Sequence, residues 1–550
     1  MKKHTFFQMK KALALAAVFL LALAGCSKRP RTAQPDGSGG VEDDLSEQFT
    51  YSFALVNSGQ FTEGAQDFNS DVIAKHFEEK FNFKFGDVTL MTWSDWIERP
   101  RIWIASGDMP DFLQTYFSYE DYKNWYDQDL LKKFPAGWQT KYPNLYELYK
   151  MSGISEFLEE NVGNPPGAFY NILFKYYPPT SPVLAQHPVA AFRKDWAGAM
   201  GVAEIKSAYK LSELIALVEK FQKEGQNLPG VRPGQTDTWT IRADQIIYMF
   251  FQTQWTHAAD FYKDPADGTY KWGPDDPRVF EMVKVFKDAV DRGIVSPNFA
   301  SFKNDEEALR FFTGGSFMCY GTGWVEYVFN DYNRFQVSVG LDPFESVAEV
   351  VVLSEDGNYV PEGRLNNWSV LYFSPNMSDK KFDRLLKILD YTATEEAQNI
   401  IHLGFEGTDY TRNGDVITLT RPLDPNGNAQ SMFSLYPYTR LWYHPPITYD
   451  DFAGVNPSIP KAYHDVANTM WGNKQKYGND TGTMQNPNIE LRFFNGPNYL
   501  KRNTNMVRDG ILGVITERGD LKTNYDNWIR SMRPVVDPIL NELNSGLGSR

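Results

Sequence analysis

Hydrophobic and polar positions along this chain alternate between strand-like runs and the 3.6-residue spacing of helices. Apolar runs at 51–57, 81–90 and 111–115 predict strands. Between them Val72, Ile73, His76, Phe77 and Lys80 fall at helical spacing, and Trp93 to Ala105 reads as an amphipathic helix. This alternation predicts a parallel sheet covered by helices. Ligands on such sheets bind outside the carboxyl ends of the strands, which directs attention to the loops after Asn57 and Thr115. A second unit starts near Val189, with a strand at Ala190 to Arg193 running into a helix at Lys194 to Met200. Leu214, Leu217, Val218 and Phe221 mark one face of a helix from Leu211 to Glu224. Asp276 with Pro277 predicts the cap and first residue of another, ending at Gly293. Ser316 to Tyr320 reads as a buried strand, and Gly321-Thr322-Gly323 as a turn into a helix at Trp324. Leu341 to Arg364 carries Pro and Gly signals with mixed strands. Trp368 to Phe373 predicts a strand and Asp379 to Thr392 a helix. Thr392 and Glu395 have capping-box spacing for the next helix, which stops at Gly404. Tyr499 to Leu543 is helical in patches.

The amino terminus changes the picture. Lys2, Lys3, Lys10 and Lys11 precede an unbroken apolar run, Ala12 to Leu23, which ends in Leu23-Ala24-Gly25-Cys26. That run is too short for a span of about 20 residues, and the pattern predicts an export signal. A cysteine right after the small residues resembles a bacterial lipobox, which implies lipidation of Cys26 and a two-chain membrane anchor. Ser27 to Glu47, with Gly37-Ser38-Gly39-Gly40 at its centre, reads as a flexible tether. Cleavage removes four lysines and no acids, so a formal charge of −14 becomes four units more negative. That balance argues against nucleic acid and against adhesion to an anionic bilayer, and weakly against an anionic ligand. With Cys26 lipidated, Cys319 has no partner for a disulfide, and its setting between Phe317 and Tyr320 predicts a buried thiol. Aromatics make up 15% of the chain, which suits either extra core or rings on which sugars stack.

Several segments together resemble the family 1 extracellular solute-binding proteins, the sugar-binding components of ABC importers, and within them the LipO-like lipoproteins related to maltose-binding proteins. These are Ala105-Ser106-Gly107-Asp108-Met109-Pro110-Asp111, Phe192-Arg193-Lys194-Asp195-Trp196 and Phe311-Phe312-Thr313-Gly314-Gly315 through Trp324. Further along the chain come Asp390-Tyr391 through Gly404-Phe405-Glu406-Gly407-Thr408-Asp409-Tyr410-Thr411, and Tyr525-Asp526-Asn527-Trp528. Gly314-Gly315 lacks the usual lysine, and Thr392-Ala393-Thr394 departs from the usual Tyr-Ser. The resemblance implies a two-lobed, type II periplasmic-binding-protein-like α/β fold. Each lobe would be a mainly parallel sheet flanked by helices, with hinge crossovers between the lobes. The boundaries expected are 1–25 signal peptide, 26–49 lipidated cysteine and tether, 50–188 plus about 345–430 lobe 1, and 189–344 plus about 431–550 lobe 2.

It also implies a ligand held between the lobes. Trp324, after the Gly321–Gly323 turn, resembles a position where maltose-binding proteins place a stacking tryptophan; the competing role is a core ring capping the following helix. Asn57, Ser58 and Gln60 resemble the family's first ligand loop, and Tyr116 resembles a stacking position. Trp93 and Asp95 lie on a strand-to-helix loop, where Asp95 could instead support the helix N-terminus. Trp255 and His257 lie in the second unit. Arg364, Asn366, Asn367 and Trp368 flank a hinge return, and Arg440, Trp442 and Tyr443 form a cluster near Pro445-Pro446. Catalytic signals are missing. The histidines show no metal spacing, no Gly-X-Ser-X-Gly elbow occurs, and the glycine-rich turns lack a phosphate-loop lysine. Asp264-Pro265-Ala266-Asp267-Gly268 has one acid too few for an EF loop and predicts a hairpin turn. The expectation is a non-enzymatic, cofactor-free monomer outside the cytoplasm. It would capture an oligosaccharide or related hydroxyl-rich solute and deliver it to ABC permease subunits. Alternatives are an exported glycoside hydrolase or polysaccharide lyase, and a binding component of a sugar-sensing system.

Overall fold

The computed structural model describes residues 43–56, 71–92, 95–115, 119–150, 171–176 and 189–546. The last range omits 233, 304, 322, 324, 361–366, 415, 424–428, 431, 443–458, 479–490, 492–493 and 495. All of these belong to one compact unit beginning at Asp43. Fourteen strands are formed among the described residues, two of them a hairpin at Tyr410–Asn413 and Val416–Leu419. The other twelve begin with β1 (Phe49–Val56), β2 (Phe83–Met91), β3 (Phe112–Thr115), β4 (Asn171–Tyr176), β5 (Val189–Arg193) and β6 (Ala208–Lys210). The others are β7 (Asp237–Thr240), β8 (Phe261–Lys263), β9 (Tyr270–Trp272), β10 (Ser316–Gly321), β11 (Val347–Leu353) and β12 (Asn367–Phe373).

Two five-stranded sheets result, in the orders β2-β1-β3-β12-β4 and β6-β11-β5-β10-β7. Each is parallel apart from one strand. In the first, β12 runs against β3 and β4; in the second, β5 runs against β10 and β11. In both cases the reversed strand is the one that brings the chain across from the other sheet. This is the two-sheet, helix-flanked arrangement of the type II periplasmic-binding-protein-like fold.

Local sequence explains the elements. The helix Val72–Phe81 starts where Asp71 accepts the backbone N–H groups of Ile73 and Ala74 (both 2.9 Å), and it buries Ile73, Ala74, Phe77 and Phe81. The helix Pro277–Asp291 opens on Asp276, which accepts Arg278 N–H at 2.9 Å, with proline at the first position. In the second body Phe221 lies flat between Trp196 (centroids 5.6 Å, 7°) and Phe317 (4.4 Å, 5°), an apolar stack at the heart of the core. Cys319 is free and buried within β10. The Asp264–Gly268 run makes the expected hairpin turn between β8 and β9.

Several expectations move. The helix Glu395–Leu403 is capped by Thr394, whose hydroxyl accepts Ala397 N–H; Thr392 instead donates its hydroxyl to Leu389 O at 2.7 Å. The segment near 345, expected to return to the first lobe, enters the second sheet as β11, and the return falls between Leu353 and Asn367. The crossing expected near 430 also comes later. Met432 and Tyr438 pack in the first core, Tyr438 N–H bonds Asp71 at 3.0 Å, and its ring stacks on Phe85 at 4.3 Å. Ile459, Tyr463 and Met470 then pack against β5, β10 and β11.

One charged network is buried in the first body. Arg384, fully buried, makes a bidentate pair with Asp43 and donates to Phe81 O (2.7 Å) and Asn82 O (2.8 Å). Asp383 accepts Lys141 (2.5 Å), the Tyr142 hydroxyl and Asp43 N–H (3.2 Å). Burial pushes both carboxyls up, but the bonds from Arg384, and from Lys141 with Tyr142, outweigh it and hold each below the usual range.

Candidate ligand-binding site

Register brings the expected ligand loops together. Val56 lies opposite Met91, and Ala54 opposite Leu113, so β1, β2 and β3 end at one edge. Asn57, Trp93 and Tyr116 each follow one of these ends by one or two residues. Because β12 runs the other way, with Val370 opposite Thr115 and Asn367 opposite Tyr176, its first residues, Asn367 and Trp368, reach the same edge. In the second sheet Gly321 and Val351 both lie opposite Val189, so β10 and β11 finish where β5 begins. Trp324 follows that edge by three residues. The chain therefore leaves the carboxyl edge of the first sheet at Tyr176 and enters the matching edge of the second at Val189.

Cys26, Asn57, Ser58, Gln60, Trp93, Tyr116, Trp324, Arg364, Asn366 and Tyr443 themselves lie outside the described residues. Asn367, Trp368, Arg440 and Trp442 are described by backbone alone. The turn Pro437–Trp442, which carries Arg440 and Trp442, belongs to the first body through Tyr438 rather than to the second as expected. Asp95 is exposed in the first turn of the helix Asp95–Ser106. Its N–H bonds Thr92 O (3.1 Å), so Thr92 forms the entry to that helix.

Trp255 follows a π-helical turn, Ile247–Gln252, of the kind that often marks functional sites. Its ring carries the Arg278 guanidinium 3.9 Å from its centroid and meets His257 and Tyr262 edge-on at 5.6 and 5.0 Å. Arg278 is held in turn by Asp276, with two bonds of 2.8 Å. Burial pushes the His257 imidazole pKa down. The neighbouring Gln254 accepts Glu355 N–H at 3.0 Å, two residues past β11, which sets this aromatic cluster beside the second strand-end edge.

The same edge holds an acidic group that sequence reasoning missed. Glu307, Asp331 and Glu349 all act electrostatically on the buried Cys319. Glu307 is buried and accepts Gln245 at 2.7 Å with Arg242 at 3.6 Å, while its other oxygen has no partner. Asp331 pairs with Arg334 at 2.7 Å. Burial raises its pKa to about 7 and raises Glu349, with help from the Asp331 charge, to about 8. One signal was present: an acid inside the run Val347-Ala348-Glu349-Val350-Val351-Val352-Leu353. Among the described residues no group of three or more His, Cys, Asp or Glu is arranged to hold a metal ion, and no helix is long and apolar enough to cross a membrane.

Register thus gathers the candidate ligand groups in sequence after the carboxyl edges of two helix-flanked sheets joined by the chain. No family model matches the chain, and no curated protein matches it in sequence. Solved structures do. A Streptococcus pneumoniae ABC-transporter substrate-binding protein, FusA, in complex with kestose, matches at TM-score 0.64 and 15% identity over 90% of this chain and 97% of its own. The alginate-binding protein AlgQ2 matches at 0.59 and 14%, over 92% and 99%. A solute-binding protein described as HMO-binding and ABC-transporter-associated, from Bifidobacterium longum infantis, matches at 0.59 and 14%, over 90% and 99%. The chain has the fold of the sugar-binding components of ABC importers.

Proposed function

We propose that this chain is a lipid-anchored, family 1 solute-binding protein outside the cytoplasm. It captures an oligosaccharide or related hydroxyl-rich solute by closing its two sheet bodies, and it hands the solute unaltered to an ABC permease. The observation that carries this reading is the meeting of strand ends. Two of the crossings, Tyr176 to Val189 and Leu353 to Asn367, join the carboxyl edges of the sheets; β12 opens there with Asn367 and Trp368, and Asn57, Trp93, Tyr116 and Trp324 follow the described strand ends in sequence. A ligand that touches groups on both bodies binds the shut state more tightly and shifts the equilibrium toward it. Support also comes from the likeness in fold to proteins whose names state saccharide binding. The anchor rests on the Leu23–Cys26 sequence, and cleavage there with lipidation of Cys26 is expected.

A thermal-shift screen against oligosaccharides tests the reading. Ligand at about 100 times its dissociation constant stabilises the folded state by about 2.7 kcal/mol. A saturable shift without product supports a binder. Release of cleaved sugar identifies a hydrolase or lyase instead.

A further inference from the structure

We propose that Asp71 is a positioning residue for the ligand site. Through one carboxylate oxygen it fixes the turn Pro437–Trp442, and with it the saccharide contacts of Arg440 and Trp442, against the end of the loop that carries Asn57, Ser58 and Gln60. The inference rests on the binding function above and adds to it a residue that itself touches no ligand.

Asp71 closes that loop and opens the helix Val72–Phe81. β1 ends at Val56, and β2 begins at Phe83, opposite the first residue of β1. The helix between them therefore runs back from the carboxyl edge, and its capped end points toward that edge. Capping needs only one oxygen of Asp71: Oδ1 accepts both Ile73 and Ala74 N–H, at 2.9 Å each. Oδ2 accepts the N–H of Tyr438, 367 positions further along, at 3.0 Å. Ser, Thr and Asn also cap helices well, and each is less costly to bury than a carboxylate that is 3% exposed. Burial pushes the Asp71 carboxyl up, against the pull of the three N–H bonds. Among these side chains only the carboxylate offers the second acceptor oxygen that Tyr438 uses.

The same turn is tied on its other side. The Tyr438 ring stacks on Phe85 (4.3 Å, 13°) and meets Phe53 edge-on at 6.3 Å. Just before the turn, the Tyr436 hydroxyl donates to Asp409 at 2.6 Å, and buried Asp409 also accepts Phe405 N–H at 2.7 Å. Thr439 is fully buried, its hydroxyl donating to Tyr436 O at 2.7 Å. Arg440 and Trp442 follow Tyr438 by two and four residues on this backbone. Two sets of candidate ligand residues, far apart in sequence, thus meet at one carboxylate. Holding them in place beforehand favours affinity, because groups ordered only on binding lose freedom at that moment.

The test compares wild type with Asp71→Asn and Asp71→Ser. Both keep a capping oxygen and lose the Tyr438 bond: Asn turns a donor toward that N–H, and Ser is too short to reach it. In amide hydrogen exchange without ligand, 437–442 should exchange faster in both variants while 73–81 keeps wild-type rates. Calorimetric titration then uses kestose, Man5GlcNAc and alginate oligosaccharides. Each variant should bind the saccharide that wild type binds about tenfold more weakly. Trp442→Ala should weaken binding too, and adding Asp71→Asn to it should weaken binding no further. A merely structural cap would instead add its own loss to that of Trp442→Ala. Unchanged exchange at 437–442, lost protection at 73–81, wild-type affinity in Asp71→Asn or Trp442→Ala, or additive losses overturn the inference and leave the saccharide-binding function standing. If no saccharide binds wild type, the proposed function falls and this inference with it.

Discussion

The two bodies of this protein each bury a cluster of charge, and the clusters are built in opposite ways. In the first, Arg384 fills its donors with the Asp43 carboxylate and two carbonyls, and Asp383 gathers an ammonium, a hydroxyl and a backbone N–H. In the second, Glu349 has no hydrogen-bond partner among the described residues, and one oxygen of buried Glu307 is left unsatisfied. A satisfied buried network rigidifies a fold, whereas an unsatisfied one is a standing cost. The first cluster fastens Asp43, which lies inside the stretch 26–49 expected to be tether, to the helix Asp379–Thr392. The second lies at the strand ends where ligand groups are expected.

Breaking the first cluster gives the largest expected effect. Arg384→Ala leaves Asp43 buried without its cation and should cost about 3–5 kcal/mol, read by urea unfolding. Tyr142→Phe removes one hydroxyl from the Asp383 carboxylate and should cost about 1.5–3 kcal/mol by the same measurement. Neither should alter affinity per folded molecule. The candidate site should behave the other way. Trp324→Ala is expected to weaken saccharide binding more than tenfold, about 1.4 kcal/mol, with unchanged melting; a large drop in melting with normal binding in the cold makes the ring core instead.

Acidity gives the finest contrast, because the clusters respond with opposite sign. Asp43 and Asp383 have folded pKa values below the unfolded 3.8, so the unfolded state binds more protons, and their contribution is lost as pH falls through that range. Glu349 rises from 4.5 to about 8, so the folded state binds more protons, and stability declines as pH climbs between those values. The melting advantage of Glu349→Gln over wild type should therefore grow from pH 5 to pH 8 and then level off. A constant difference across that range contradicts the assignment.

Much of this was legible in the sequence because periodicity reports local burial. The helices Leu211–Glu224 and Asp379–Thr392 start and end where their apolar faces do, and β10 reads as an apolar run. What failed was non-local. Asp43 and Arg384 stand 341 positions apart, and no local pattern couples them. The crossings near 345 and 430 were placed early because β11 and the Pro437–Trp442 turn are assigned by their pairing partners, not by composition. Thr392 and Thr394 both precede an acid-rich helix start, and only backbone geometry chooses between them. Glu349 was overlooked because a single acid in a strand reads as an exposed position, and its address on the inner face depends on register.

Small-angle scattering on the mature protein, with and without a saccharide found to bind, tests the central claim most directly. Closure of two bodies on a solute predicts a smaller radius of gyration at saturation and unaltered sugar recovered afterwards. An unchanged radius at full occupancy, or cleaved sugar in the recovered solution, would contradict it.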